Sequence, residues 1–200
     1  MAVALGRREL TKERNRAQIL AAARAAFGSQ GYGGTAVRDI VRRTDLSPGT
    51  FYNYFPDKES IFLALIEEST ERVRAVLREA RHDARSLDDF VAGAYRAFFT
   101  AIADDPAMFE LLRRNAGTVR AMLDDALLAA GVDDLLEDLE AAIARGDLPP
   151  LDARYMARAM AGVALEVGME MLERTPADVD GAATFAGELF LGGIERIGRR

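Results

Sequence analysis

The sequence predicts an all-α protein, with an N-terminal three-helix helix-turn-helix domain followed by a larger helical domain. Three observations support this prediction. Apolar residues recur at helical spacing through most of the 200 residues. Glycine, proline and helix-capping residues separate these stretches from one another. The strict apolar–polar alternation of a half-buried strand does not occur.

The first helix is predicted over about residues 12–27, where one helical stripe is apolar: Ile19, Ala22, Ala23, Ala26 and Phe27. A glycine-rich stretch over residues 28–34 ends this helix, because glycine accepts the positive φ of a helix terminus. Thr35 is then the predicted N-cap of a second helix. The buried side of that second helix consists of Val37, Ile40 and Val41.

A turn over residues 44–46 leads into a short third helix. Ser47 is its predicted N-cap, and Pro48 suits the first turn because its missing N–H would be unpaired there. Phe51 and Phe55 are four residues apart and are expected to point inward together. The outer surface is then left with Thr50, Tyr52, Asn53 and Tyr54. Such a helix, behind a tight turn, is the layout that reads the major groove of DNA.

The rest of the chain is predicted to be helix after helix, beginning with the N-cap Asp57. The expected helices cover about residues 61–81, 86–103, 105–114, 118–145, 152–173 and 178–197, with a kink or break at Gly131. We place the domain boundary so that residues 1–56 form the DNA-binding domain and residues 57–200 the larger domain.

The charge distribution agrees with a nucleic-acid-binding N terminus. The net charge is −6, yet residues 1–62 carry ten Lys/Arg and six Asp/Glu, and the remainder is strongly acidic. Phosphate contacts supply most of the affinity of DNA-binding proteins, so a basic end on an acidic body favours such a function. The alternative is that the charges are unevenly spread by chance.

Composition excludes several other classes of protein. The chain has no cysteine and one histidine, which excludes disulfides, thiolate metal sites and multi-histidine metal chemistry. The spacing Glu79-x-x-His82 occurs in di-iron bundles, but such sites need the element twice. No apolar run reaches the roughly 18 residues of a membrane span, and no signal peptide is evident, so we expect a cytoplasmic protein. We expect no cofactor, no bound metal and no catalytic residues.

The N-terminal residues closely resemble the TetR family of bacterial transcriptional regulators over about residues 12–66. The resemblance is carried by the Ile-Leu-Ala-Ala-Ala-Arg-Ala-Ala-Phe run, Gly31-Tyr32, Thr35, Ile40-Val41 and the continuous stretch from Ser47 to Glu59. The chain departs from the family at Asp45, where a glycine is common. Aspartate tolerates the left-handed conformation better than most residues, so we expect the turn to be kept.

The resemblance implies a set of DNA-binding residues in and around the third helix: Thr35, Ser47, Gly49, Thr50, Tyr52, Asn53, Tyr54 and Lys58. The first and last of these bind phosphates, the two tyrosines reach phosphates or thymine methyl groups, and the other four face the groove. Helix N-termini favour anions and asparagine can pair with a base edge, which agrees independently. The alternatives are ordinary packing for the tyrosines and a solvated charge for the lysine.

Basic residues precede the first predicted helix or lie in its first turn: Arg7, Arg8, Lys12 and Arg14. Two readings are open for them. They form an arm that reaches the minor groove, or they belong to a disordered, solvated tail.

The resemblance further implies that the C-terminal domain dimerises through the last two long helices. Small residues there let helices approach closely: Ala157, Ala161, Ala164, Gly168, Ala186, Gly187, Gly192 and Gly193. The alternative is that the same residues pack within one chain.

The family's larger domain also encloses a small-molecule pocket. Aromatic and methionine side chains that suit an apolar ligand are Tyr95, Phe98, Phe99, Met108, Phe109, Met122, Met156 and Met160, although each is equally suited to a plain core. Glu166 and Glu170 share one helix face, and they either neutralise a cationic ligand in the cavity or are solvated.

Together these features predict a homodimeric repressor that binds a palindromic operator in double-stranded DNA and is released by an unknown small apolar or amphipathic effector. The alternatives are an activator of the same fold and a helical-bundle enzyme such as a ferritin-like oxidase. We expect no membrane partner.

Overall fold

The computed structural model describes residues 6–115, 117–118 and 125–198. These residues form helices α1 (Arg7–Gly34), α2 (Val37–Val41), α3 (Pro48–Tyr52), α4 (Lys58–His82), α5 (Leu87–Asp104), α6 (Pro106–Arg114), α7 (Asp125–Arg145), α8 (Ala153–Glu173) and α9 (Val179–Gly198). No strand occurs in these ranges, and the all-α prediction is confirmed. The chain divides into two compact units, one within Met1–Ser69 and Ala107–Met122 and the other within Thr70–Pro106 and Leu123–Arg200.

The first helix begins earlier than the apolar pattern indicated. Residues 7–14 are good helix formers, and the Glu9 carboxylate accepts a hydrogen bond of 3.1 Å from the Gly6 N–H at the helix start. At the other end Gly31 interrupts the helix with φ of +72°, a conformation that glycine adopts without steric cost. The pattern missed the first turns because their side chains are exposed and carry no apolar stripe.

The core of the first unit is built from the inner faces of α1 to α4. Its fully buried apolar side chains include Ile19, Phe27, Ile40, Phe51, Ile61, Phe62 and Leu65. Tyr32 closes one edge, with its ring centroid 4.4 Å from that of Phe62 and 5.5 Å from that of Phe27. Aromatic pairs at these spacings add to the stabilisation from burial.

The second unit is a helical bundle around α5, α8 and α9. The five residues between α8 and α9 reverse the chain, so these helices run side by side in opposite directions. Charged side chains tie α4 to α7, since Arg74 donates two hydrogen bonds of 2.9 Å to Asp134 and Arg81 donates one of 2.5 Å to Asp138.

Helix α7 corrects one detail of the sequence prediction. It runs from Asp125 to Arg145 as a single helix, so the kink or break expected at Gly131 is absent. The predicted start of this helix lies largely outside the described residues.

Candidate nucleic-acid interface

Helix α3 is short and is fixed at its N terminus by side-chain capping. The Ser47 Oγ accepts a hydrogen bond of 3.2 Å from the Thr50 N–H, and the two hydroxyls lie 2.9 Å apart. Pro48 occupies the first helical position. The predicted cap and first turn are therefore confirmed, and they set where this five-residue helix begins.

The inner face of α3 is anchored by the predicted pair of phenylalanines. Phe51 is completely buried and Phe55 is almost so. The Arg16 guanidinium lies 5.8 Å from the centroid of the Phe55 ring, which adds a contact from α1. Two buried rings on one side fix which residues the helix turns outward.

The outer face of α3 is polar and accessible. The Tyr52 side chain is 52% exposed, and Gly49 and Asn53 are also exposed, whereas Thr50 and Tyr54 are half-buried. This face thus presents a hydroxyl, a phenol and a carboxamide beside a glycine that lets a partner approach the backbone closely. These groups match the donors and acceptors that contact base edges and phosphates in DNA.

Helix α1 holds α3 and the preceding turn through two side-chain hydrogen bonds. The Asn15 Nδ2 donates to the Tyr54 Oη at 3.2 Å, and the Gln18 Nε2 donates to the Asp45 Oδ2 at 3.1 Å. Sequence reasoning missed both polar residues, whose only signal is that they lie three residues apart on α1. Their role is to fix the orientation of the exposed face.

The turn before α3 keeps its shape by a different route from the one expected. Among the described residues none other than glycine has a positive φ, so Asp45 is not left-handed. Instead the Thr44 hydroxyl donates to the Val41 carbonyl at 2.8 Å, and its oxygen accepts from the Leu46 N–H at 3.4 Å. Local side-chain bonds of this kind stabilise turns without glycine.

Thr35 does not cap α2, whose N-cap is Ala36. The Thr35 side chain is 2% exposed, its hydroxyl donates to the Gly31 carbonyl at 2.7 Å, and its N–H donates to the Tyr32 carbonyl at 3.4 Å. The break at Gly31 frees carbonyls that Thr35 satisfies. In this arrangement both groups expected to bind a phosphate are bound to the end of α1.

Lys58 is also engaged within the protein. Its Nζ donates to the Tyr32 carbonyl at 2.8 Å and lies 4.3 Å from the centroid of the Tyr32 ring. The neighbouring Asp57 caps α4 by accepting 2.7 Å from the Ser60 N–H, as predicted. Burial, with the nearby carboxylates of Glu59 and Asp57, raises the pKa of the Tyr32 phenol.

The basic residues at the N terminus are helical. Arg7, Arg8, Lys12 and Arg14 all lie on the first two turns of α1 with exposed side chains, so neither an extended arm nor a disordered tail describes them.

The predicted pocket residues fall into separate groups. Tyr95, Phe99 and Met160 meet in the core of the second unit, where the Tyr95 Oη donates to the Met160 carbonyl at 3.1 Å and the Tyr95 and Phe99 centroids are 5.8 Å apart. Burial raises the pKa of the Tyr95 phenol. Phe98 packs edge-on against Phe99, and Phe98 and Met156 are half-buried.

The remaining predicted pocket residues are two on α6, one before α7 and two on α8. Met108 and Phe109 belong to the first unit, and Met122 lies outside the described residues. Glu166 and Glu170 are exposed on α8, as in the solvated alternative, and Glu170 lies 3.9 Å from the Arg174 guanidinium.

The small residues predicted for a dimer interface differ in how far they are buried. Ala157, Gly168, Ala186 and Gly187 are buried within the chain, where a Cβ on Gly168 would lie 2.7 Å from the Ile102 side chain and one on Gly187 3.3 Å from Ala92. These four therefore pack inside one chain, as in the alternative. Ala161 and Ala164 are half-buried, and Gly192 and Gly193 are exposed.

Helices α8 and α9 also expose large apolar side chains that sequence reasoning missed. Those with 41% to 77% exposure are Tyr155, Leu165, Phe185, Leu189 and Ile197, which we call the α8–α9 apolar surface. The sequence signal for these residues is that they are large and apolar but lie on the side of their helix opposite the buried stripe. Large exposed apolar side chains on two adjacent helices favour a site of protein association.

The described ranges contain no group of three or more His, Asp or Glu side chains placed to hold a metal ion. Within the same ranges, no helix has the length and apolarity required to traverse a bilayer.

Comparisons with known proteins agree with this geometry. Residues 19–65 match the family model described as bacterial regulatory proteins, tetR family. The structure is similar to the fatty acid degradation regulator FadR from Bacillus halodurans, at 22% identity and a TM-score of 0.77 over 90% of this chain and 96% of that one. It is similar to a tetR-family bacterial regulatory protein from Rhodococcus RHA1, at 26% identity and a TM-score of 0.72 over 90% of this chain and 96% of that one. A TetR-family transcriptional regulator from Pectobacterium atrosepticum matches at 23% identity and a TM-score of 0.69, over 95% and 97% of the two chains.

Proposed function

This chain carries the TetR-family DNA-binding domain on a TetR-like fold, and from that premise we propose that it is a dimeric transcriptional repressor that a small apolar or amphipathic effector releases from a palindromic operator. The observation that supports this most directly is α3. Its inner face is anchored by Phe51, and its outer face offers Tyr52 and Asn53 to a partner.

In the proposed complex α3 enters the major groove. Asn53 then lies where a carboxamide pairs with an adenine edge, and Tyr52 lies where a phenol reaches a phosphate or a thymine methyl group. Thr35 and Lys58 bind phosphates only by exchanging their present partners at the end of α1, Gly31 and Tyr32. Lys58 exchanges its hydrogen-bond partner more readily than Thr35 does, because Lys58 is half-buried whereas Thr35 is buried.

The α8–α9 apolar surface supports dimerisation. A two-fold dimer buries each exposed side chain twice, and fully burying a leucine or phenylalanine side chain contributes about 1.5–3 kcal/mol. Two recognition helices in such a dimer read half-sites about 34 Å apart on one side of the duplex, which is why the operator is expected to be palindromic.

The aromatic cluster of Tyr95, Phe99 and Phe190, in which the first two are buried and the third is half-buried, supports an apolar effector. The ring centroids of Tyr95 and Phe190 lie 6.0 Å apart, so an apolar ligand that entered here would separate packed rings and move α5 against α9. A coupling of about 1–3 kcal/mol between effector and DNA suffices for roughly 5–150-fold release. Because the similar Bacillus halodurans protein is a regulator of fatty acid degradation, fatty acids are the first ligands to test.

The DNA-binding proposal is tested with the DNA upstream of this chain's own gene. Asn53→Ala removes an exposed amide at the C-terminal end of α3 and is expected to weaken binding in a fluorescence-anisotropy titration by about 10-fold or more, since one bidentate base contact is worth about 1–3 kcal/mol. Gln30→Ala removes an exposed amide from the same unit and is expected to bind as the wild type does. Equal affinities for the two variants would contradict the proposed surface.

The dimer proposal has its own matched pair. Leu189 on α9 and Leu10 on α1 are both 53% exposed. Leu189→Glu is expected to convert the dimer to monomer in sedimentation equilibrium, because it places a charge in the proposed interface. Leu10→Glu is expected to leave the dimer intact. A dimer that persists in the Leu189 variant would refute this interface.

A further inference from the structure

An open groove of about 660 Å³ runs beside α3 within the first unit. One wall is the start of α1, with Arg7, Arg8 and Lys12. The other wall is α3 and the residues after it, with Thr50, Asn53 and Tyr54. The exposed face of the recognition helix is thus continued by a basic surface that the helix-turn-helix motif does not include.

The basic wall carries uncompensated positive charge. Arg7, Arg8 and Lys12 are exposed, and none of them forms an ion pair with another residue of the described ranges. The acidic residues of the same turns, Glu9 and Glu13, do not line the groove, and the Glu9 carboxylate is occupied by the Gly6 N–H. The groove therefore suits an anionic partner.

The spacing between the two walls is fixed by contacts behind the groove. The Asn15 side chain, one turn after Thr11, donates to the Tyr54 Oη at 3.2 Å and joins α1 to the end of α3. Arg16 lies over the Phe55 ring from the same helix turn. A groove whose walls are held in this way is already formed before a partner binds, which lowers the entropic cost of binding.

We propose that this groove receives the sugar–phosphate backbone of the strand that borders the major groove entered by α3. The inference rests on the DNA-binding function proposed above and extends the contact surface to the N-terminal turns of α1. Residues 7 to 12 rise about 7.5 Å along the helix. Each strand of a duplex presents one phosphate per about 3.4 Å of its axis, so the three cations span two to three successive phosphates.

Contacts of this kind have a measurable signature. Each phosphate neutralised on duplex DNA contributes about 0.9 to the slope of log affinity against log salt concentration, and it does so whatever the base sequence. Three such contacts account for about 2.7 of that slope per protomer, and so for about 5.4 in a dimer that binds both half-sites. Base-reading residues such as Asn53 contribute to sequence preference instead.

The test measures binding of the full-length protein to a mixed-sequence duplex of about 30 base pairs, long enough for two half-sites one helical turn apart, over a range of salt concentrations. The triple variant Arg7→Ala, Arg8→Ala and Lys12→Ala is expected to lose about 5.4 from the slope, because the proposed dimer carries the three cations twice. A charge-matched control replaces three exposed arginines of the other unit, Arg85→Ala, Arg145→Ala and Arg174→Ala, and is expected to keep the wild-type slope. The variant Arg7→Lys, Arg8→Lys and Lys12→Arg keeps the charge and is expected to keep the slope too.

The outcomes separate this inference from the proposed function. If the wild type binds the duplex with a salt-dependent affinity and the N-terminal alanine variant has the same slope, the groove does not hold a phosphate backbone, and DNA binding by α3 stands. If the charge-keeping variant loses the slope as the alanine variant does, the residues act by supporting the fold, and the inference is overturned. If the wild type does not bind duplex DNA, both proposals fall together.

Discussion

Two neighbouring residues of α3 are expected to respond differently to replacement by alanine. The change at Phe51 should lower the stability of the protein, and the change at Tyr52 should weaken DNA binding. The Phe51 side chain has no exposed surface, whereas the Tyr52 side chain is 52% exposed. The first is part of the core that holds the helix in place, and the second belongs to the face that is proposed to meet DNA.

The expected magnitudes follow from this difference in burial. Replacing a buried phenylalanine by alanine costs about 3–5 kcal/mol, a large share of a total stability of about 5–15 kcal/mol. Tyr52 makes one aromatic contact, with its ring centroid 5.7 Å from that of Phe51 at an interplanar angle of 79°. Such a pair is worth about 0.5–1.5 kcal/mol, so Tyr52→Ala is expected to cost about that much.

The assay measures stability and duplex affinity on the same two variants. Urea denaturation followed by far-ultraviolet circular dichroism gives the free energy of unfolding, and fluorescence anisotropy gives the affinity for duplex DNA. We expect Phe51→Ala to lower stability strongly. We expect Tyr52→Ala to keep a native-like stability and to bind DNA at least about 10-fold more weakly, since the loss of one good contact is worth about 1–3 kcal/mol.

The variant Tyr52→Phe separates the ring from the hydroxyl. It keeps the aromatic contact with Phe51 and removes the group proposed to reach a phosphate. If Tyr52→Ala were as destabilising as Phe51→Ala, the tyrosine would be a core residue. If Tyr52→Ala bound DNA as tightly as the wild type, the outward face of α3 would not be the contact surface.

Three further outcomes are expected from other contacts in the structure. Lys58→Ala should lower the free energy of unfolding by about 1–2 kcal/mol, because it removes a charge-assisted hydrogen bond to the Tyr32 carbonyl and a cation–π contact; an unchanged value would show that the lysine is free for phosphate alone. Gly168→Ala should give a lower melting temperature than Gly93→Ala, because its Cβ would lie 2.7 Å from the Ile102 Cδ1, which must move, whereas Gly93 has open space around it; equal melting temperatures would refute the packing argument. Because burial raises the pKa of the Tyr95 phenol, the unfolded chain loses this proton at a lower pH than the folded chain does, so the free energy of unfolding should fall above a pH of about 10 by up to about 1.4 kcal/mol per pH unit. The free energy of unfolding of Tyr95→Phe should fall less steeply with pH, and parallel curves for the two proteins would contradict the burial of this phenol.

Local signals in the sequence were sufficient to predict where α3 begins and which of its residues are buried. Ser47, Pro48 and the phenylalanine pair act over at most one or two helix turns, and capping and i, i+4 spacing follow directly from helix geometry. For the same reason the faces of α3 could be assigned before the structure was known.

Contacts between distant residues could not be predicted in this way. Asn15 and Tyr54 are 39 positions apart, and Gln18 and Asp45 are 27 apart, so no local pattern pairs them. Thr35 looked like a cap because a threonine before an apolar stretch usually is one, but the break at Gly31 offered its hydroxyl a carbonyl instead.

The small residues of α8 and α9 show a different limit of sequence reasoning. Gly168 and Gly192 both permit close approach of helices, yet only the first is buried within the chain. Tertiary packing decides which helix approaches a glycine. Composition alone does not show whether that helix belongs to the same chain or to a second one.

The central claim is that the outward face of α3 is covered when duplex DNA binds. The chain contains no cysteine, so Asn53→Cys creates a single thiol on that face and Gln30→Cys a single thiol elsewhere in the same unit. Modification by a maleimide, followed by mass spectrometry, measures how accessible each thiol is. We expect saturating duplex DNA to slow labelling at position 53 strongly and to leave labelling at position 30 unchanged. Undiminished labelling at position 53 in the bound complex would contradict this claim.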